Sequence, residues 1–172
     1  DPESVVERIT PKTRAIMPVH YGGCPCRIQE LREIADDHDL LLIEDAAEAF
    51  GASIRGRKVG TFGDSAMMSF CQNKVITTGE GGAIVTDSRE VYEKMKLIRS
   101  HGRLETADYF STTAVMDYVS LGYNFRMSNI TAALGIAQLS KVEDIIRMRR
   151  ADAAYYIQRL KAEVPDCVIP EL

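Results

Sequence analysis

Apolar positions fall into two rhythms along this chain. Ala15–His20 (Ala-Ile-Met-Pro-Val-His) is a short apolar run that ends in the turn residues Gly22 and Gly23, the pattern of a buried strand. Ile28, Leu31, Ile34 and Ala35 then recur at helical spacing over Ile28–Asp39. A second apolar run, Leu40–Ile43, is closed by the acids Glu44 and Asp45. Strand, helix and strand in so short a span predict a βαβ unit, with its two strands parallel and both faces covered. Ala46–Asp64 is glycine-rich and alternates poorly; it predicts a short helix start, then a loop or hairpin around Arg55-Gly56-Arg57. Ala66–Phe70 and Ala83–Thr86 predict two further strands, separated by a polar, glycine-rich loop over Asn73–Gly82. Ser88 caps a helix reaching about Ser100, with Val91, Met95 and Ile98 on one face. Gly102–Met127 is irregular and carries Tyr109, Phe110, Tyr118, Tyr123 and Phe125. From Ser128 a long helical pattern runs to about Val164, with one break near Ser140, and Pro165 stops it. The order predicts an α/β core, mainly parallel sheet with flanking helices, followed by a long connecting helix.

Composition adds limits. With 172 residues, 45% hydrophobic and 27% charged, the chain has the balance of one ordinary globular domain. A net charge of -4, with Lys and Arg mixed among acids, argues against a nucleic-acid binder. No apolar run approaches membrane-spanning length and no signal segment opens the chain. Cys24 and Cys26 flank Pro25, while Cys71 and Cys167 stand alone. Without further ligands at metal spacing, these read as free thiols of a cytosolic protein rather than a zinc site. Both ends read as cut: the first residue is Asp1 on a helical phrase, and Ile169–Leu172 resembles the start of another extended segment.

Three constellations carry candidate chemistry. Lys74 lies on a loop just after a strand, usually the place of a solvated lysine. Here Met67, Met68 and Phe70 precede it, and Val75 and Ile76 follow. An apolar setting disfavours the charged form, and a neutral amine is the nucleophile of Schiff-base chemistry. Gly79, Gly81 and Gly82 permit close approach of backbone to a ligand. Asp45 sits at the carboxyl end of a parallel strand, where ligands of open α/β sheets bind; it would serve equally as a helix cap. Ala46 and Ala47 beside it leave room for a flat ring, whose nitrogen a carboxylate could keep protonated. Gly122–Ser128 reads either as a plain loop before a helix, or as a polar loop offering Asn124 and Arg126 to an anion.

Six phrases taken together resemble one family: Met17–Gly23 (MPVHYGG), Ile43–Ala52 (IEDAAEAFGA), Gly60–Asp64 (GTFGD), Ser69–Gly82 (SFCQNKVITTGEGG), Arg99–Arg103 (RSHGR) and Gly122–Leu139 (GYNFRMSNITAALGIAQL). In this order and spacing they resemble the DegT/DnrJ/EryC1/StrS sugar aminotransferases, and within them the perosamine-synthase-like branch. The resemblance spans essentially the whole chain. It implies the central part of the large domain of a type I, aspartate-aminotransferase-like fold that uses pyridoxal 5'-phosphate (PLP). Residues 1–127 would belong to the PLP-binding large domain, and residues 128–172 would form the helix leading to a C-terminal small domain. The family's phosphate-binding turn and ring-stacking aromatic would precede Asp1.

Residue by residue, the resemblance implies that Lys74 forms the Schiff base and Asp45 pairs with the pyridine nitrogen. Ser69 helps hold the cofactor phosphate, and Asn124 reaches the phosphate of the neighbouring subunit's cofactor. Glu48 stands where many members carry Gln or His near the ring hydroxyl, a position where a carboxylate would repel the phenolate. His20 and His101 are candidates for substrate contact. The partners implied are a nucleotide-linked keto-sugar, an amino-acid donor such as glutamate, and a second copy of the chain, with Ile130, Leu134 and Leu139 as its apolar stripe. A sugar dehydratase of the same fold would carry histidine in place of Lys74. A non-catalytic regulator would have little need of the set Asp45, Ser69, Lys74 and Asn124.

Overall fold

Leu42 and Ile28 are both fully buried and mark the centre of the fold. The computed structural model describes residues 1–104 and 117–169. Helix α1 (Pro2–Arg8), capped by the Asp1 carboxylate, leads into strand β1 (Ala15–Ile16). Pro18 cuts β1 short, because proline lacks the N–H a ladder needs; pairing resumes at Val19, which bridges Asp45. A single 3-10 turn at Tyr21–Gly23 precedes helix α2 (Ile28–Asp37), and strand β2 (Leu41–Asp45) follows. β3 (Ser53–Ile54) and β4 (Arg57–Lys58) form a small hairpin about Arg55-Gly56, as the glycine predicts. The helix start expected at Ala46 is instead a pair of tight turns, Ala49 N–H to Ala46 O and Ala52 N–H to Ala49 O. β5 (Ser65–Ser69), β6 (Gly82–Val85) and α3 (Arg89–Arg99) complete the core.

The main sheet has the order β1-β2-β5-β6. β1, β2 and β5 are parallel, and β6 runs antiparallel to β5. The 70–81 loop holds only turns and returns the chain directly, without the helical crossover that usually joins parallel neighbours. Ile28, Leu31 and Ala35 of α2 cluster with Ile16, Leu40, Leu42 and Phe62. Each of the Ile, Leu and Phe side chains contributes about 1.5–3 kcal/mol on full burial. Side chains alternate faces along a strand, so Leu42 and Glu44 face this cluster while Asp45 points the other way.

The expected long helix is two helices, α4 (Asn129–Leu139) and α5 (Val142–Glu163), broken at Ser140–Lys141. Ser128 caps α4, its hydroxyl accepting from Thr131 N–H. Both helices touch the core through small residues. A Cβ on Gly135 would stand 3.1 Å from Thr78, and one on Gly51 would overlap Ile146 at 2.3 Å. α4 is rich in apolar residues yet buries none of them fully. Tyr109 and Phe110, like Pro170–Leu172, lie outside the described residues.

Candidate active site at the carboxyl end of the parallel strands

Asp45 pairs in register with Met67, and Ser69 lies two residues further along β5. The two-residue period therefore puts Asp45 and Ser69 on the same face, at the carboxyl edge of adjacent parallel strands. Asp45 is fixed from both sides of its own backbone: its N–H donates to Pro18 O at 2.9 Å, and its carbonyl accepts from His20 N–H at 3.0 Å. Its Oδ1 accepts from Ala47 N–H at 3.0 Å, which closes the turn after the strand. Ser69 Oγ accepts from Cys71 N–H at 3.3 Å, leaving its own O–H free to donate.

Beyond Ser69 the chain makes a closed loop. Phe70 N–H donates to Gly81 O, and Phe70 O accepts from Thr78 N–H, each at 2.9 Å. Gly81 has φ +144, and a Cβ there would lie 2.8 Å from Thr78 Oγ1, so the loop closes only with glycine at this point. Ile76, 2% exposed, anchors the loop from beneath. Lys74 N–H donates to Cys71 O at 3.1 Å, a turn that directs the lysine across to the segment following β2.

There Lys74 Nζ meets Glu48 Oε1 at 3.7 Å. Glu48 is itself held, its Oε2 accepting from Gly22 N–H at 2.7 Å. The two side chains line a cavity of about 200 Å³ with Gly22, Ala47, Phe50, Asn73, Val75 and Arg149. Arg149 of α5 donates to Lys74 O at 3.4 Å. The apolar surround expected for Lys74 is thus incomplete: the side chain is 19% exposed, and its amine faces a carboxylate rather than a hydrocarbon wall.

His20 and Glu44 form a second, buried arrangement. Both are fully buried, and His20 Nε2 lies 3.0 Å from Glu44 Oε2. Cys26 N–H donates to His20 Nδ1 at 3.2 Å, so Nε2 carries the proton that Glu44 accepts. Glu44 also accepts from Gly60 N–H (2.7 Å), Phe62 N–H (2.7 Å) and Gly63 N–H (2.6 Å). Burial pushes the Glu44 carboxyl up, but the His20 hydrogen bond and these three N–H groups outweigh it and hold it below the usual carboxylate range. Gly60–Asp64 is therefore a cradle wrapped round Glu44. A Cβ on Gly63 would sit 2.5 Å from Leu42 O, so glycine is required for that approach. Asp64 closes the cradle, accepting from Leu42 N–H at 2.7 Å and from Arg32 at 3.0 Å.

The candidates thus separate. Lys74 and Glu48 share the cavity, while Asp45 and Ser69 share the strand edge beside it. His20 does not enter the cavity: both ring nitrogens are engaged within the protein, and no part of the side chain is exposed. His101, at φ +62, donates its N–H to Tyr123 O at 2.8 Å and does not line the cavity. Asn124 is exposed, bridged to Ser100, with Oδ1 accepting from Arg126 Nε at 3.1 Å; it also stands apart from the cavity. Glu44 was missed as a site-building residue. Its signal was present: within Leu-Leu-Ile-Glu-Asp, period two puts it on the face of Leu42. The four cysteines are free, and no group of three or more metal-ligating side chains occurs among the described residues.

These residues fit PLP. A lysine amine at a cavity wall suits an aldehyde, a free serine O–H and the adjacent glycine-rich loop suit a phosphate, and a carboxylate at the strand edge suits a ring nitrogen. Ala47 gives the cavity a small side chain, while Ala46 is buried against Ala49 and Val59 and does not line it.

The comparisons with known proteins point the same way. The chain is 45% identical over 152 residues to the GDP-perosamine synthase of Caulobacter vibrioides, covering 88% of this chain and 39% of that protein. The solved structure of Helicobacter pylori PseC, an aminotransferase of pseudoaminic acid biosynthesis, superposes with a TM-score of 0.86 at 36% identity, over 96% of this chain and 43% of PseC. E. coli GDP-4-keto-6-deoxy-D-mannose-3-dehydratase with bound hydrated PLP superposes at 0.83 with 34% identity, over 95% of this chain and 44% of that one. The chain spans about two fifths of the length of the curated relatives it matches. The DegT/DnrJ/EryC1/StrS aminotransferase family model matches residues 1–171, and the chain belongs to that family.

Proposed function

We propose that this chain carries the reactive lysine of a PLP-dependent aminotransferase, which moves an amino group from an amino acid, glutamate in our reading, to a nucleotide-linked keto-sugar. The observation that carries the reading is Lys74 Nζ at the wall of a cavity, at the carboxyl edge of the strands that bear Asp45 and Ser69. PLP, when bound, supplies the electron sink that stabilises charge on the reacting carbon.

The rest of the chemistry belongs to the chain. Lys74 Nζ holds the cofactor covalently, then serves as general base, taking the proton from the amino-bearing carbon of the donor. In the second half it returns a proton to the former carbonyl carbon of the sugar. Asp45, its Oδ1 already accepting from Ala47 N–H, would hold the ring nitrogen and keep it protonated. Ser69 donates its hydroxyl to the phosphate. Asn124 serves the site of a second copy, in keeping with its exposure and its distance from the cavity. The exposed apolar residues of α4 form part of the surface between copies. Residues 1–127 belong to the large domain, and α4 and α5 lead on toward a small domain. No helix among the described residues is long and apolar enough to cross a membrane.

A product assay with glutamate and a panel of nucleotide-linked keto-sugars tests this. An aminated sugar with stoichiometric 2-oxoglutarate is the expected result. Ammonia release without an amino acceptor would mark a dehydratase, the activity named for one of the similar structures, and would overturn the proposal.

A further inference from the structure

Glu48 is the residue of the cavity that departs from the pattern of the resembled family, and its surroundings are specific. Its Oε2 is tethered by Gly22 N–H at 2.7 Å, and its Oε1 faces Lys74 Nζ at 3.7 Å. Gly22 has φ +62 within the tight turn after His20, so this N–H is presented by a fixed backbone. The other charged group at the cavity is Arg149, which reaches the Lys74 carbonyl and not the amine. Lys74 is drawn in at 19% exposure, with one carboxylate beside its amine.

We propose that Glu48 is a positioning residue for Lys74: fixed by the Gly22 N–H, its carboxylate holds the Lys74 ammonium at the cavity wall whenever that amine is not covalently engaged. The pair keeps the amine aimed at the cavity and withholds it from stray electrophiles. One Glu48 oxygen accepts from a backbone donor, and the other turns toward lysine. Arg149 then remains as the cavity's second positive group. The functional meaning rests on the reading of Lys74 as the cofactor-bearing amine, but the pairing itself is testable without cofactor.

The experiment uses the intact protein, stripped of cofactor and labelled with trace acetic anhydride at fixed neutral pH, with site-by-site quantification by mass spectrometry. Glu48→Gln keeps an oxygen for Gly22 N–H but removes the charge. We expect Lys74 in E48Q to label about two- to five-fold faster than in the parent at low salt, the range set by a partly exposed pair. Raising salt to about 1 M is expected to bring the parent toward the variant, because screening weakens such a pair. Lys12 and Lys58 serve as internal references and are expected to stay unchanged. A matched unfolding curve for E48Q shows that the fold is intact. Equal labelling of Lys74 in parent and variant overturns the proposal. If E48Q fails to fold, the salt dependence of Lys74 labelling in the parent decides alone: a flat response overturns it. Borohydride trapping of PLP on a different residue would defeat the proposed function and leave the labelling result standing. Trapping on Lys74 with equal labelling would defeat this inference alone.

Discussion

Glu44 and His20 meet at 3.0 Å with both side chains fully buried, and the carboxylate takes three backbone N–H groups besides. This arrangement joins the segment that follows β1, the end of β2 and the Gly60–Asp64 turn. It fixes the strand edge on which Asp45 stands. Removing the carboxylate leaves four donors without a partner in the interior. Glu44→Ala is therefore expected to destabilise the fold by about 3–5 kcal/mol. Glu44→Gln should cost less, since the amide oxygen still accepts. Urea unfolding of both variants checks the order, and a cost for E44A below about 1 kcal/mol would contradict it.

Gly63 supplies a second test of the same cradle. A Cβ at this position would lie 2.5 Å from Leu42 O, and backbone must shift to admit it. Gly63→Ala should cost about 1–3 kcal/mol. It should also be non-additive with Glu44→Ala, because both changes dismantle one set of hydrogen bonds. Simple additivity in a double-mutant cycle would show that the two act separately.

The pH dependence follows from Glu44 and Asp64. Both carboxyls are held below their usual range against the opposing effect of burial, Glu44 by His20 and backbone N–H groups, Asp64 by Leu42 N–H and Arg32. A depressed folded-state value means that the stabilisation is fully present above the unfolded value, near pH 4, and is lost as pH falls through the folded value. Urea midpoints should thus fall steeply below about pH 4. Asp64→Asn should lower stability at neutral pH and flatten the acid limb. An acid limb as steep in D64N as in the parent would exclude Asp64 from the effect.

The apolar surface of α4 bears on assembly. Ile130 is 87% exposed and Ile136 71%, while Leu121 just upstream is 95% exposed. The intact protein is expected to be a dimer in solution, and Ile130→Asp to weaken it by roughly ten-fold or more. Light scattering across a dilution series reads this directly. An unchanged mass for I130D over the whole series would place the interface elsewhere.

Much of this architecture is legible in the hydrophobic pattern, because α2 and the strands bury distinct faces. Ile28, Leu31 and Ala35 lie on the core face at the predicted spacing, β5 lies within a residue of its expected bounds, and β2 runs two residues further, through the acids Glu44 and Asp45. The break at Ser140 was readable from its polar, weakly helical residues. The helix start after Asp45 was not: Ala46–Ala49 has helical composition, but the chain makes only two tight turns there and leaves through Gly51 at φ +85. Lys74 and Asp45 stood out by type and position, and Ser69 through the family resemblance. What pattern could not supply was pairing: nothing along the chain says that Glu48 would turn to Lys74, or that His20 would be absorbed by Glu44. Those outcomes depend on how the Gly22 and Gly60 turns bring distant segments together.

The central claim is that Lys74 is the amine that holds PLP. The most direct measurement is borohydride reduction of the intact protein incubated with PLP, followed by peptide mapping. The account predicts a single reduced phosphopyridoxyl adduct on Lys74 and none in Lys74→Ala. An adduct on any other lysine, or a Lys74→Ala protein that transaminates at the parental rate, would contradict it.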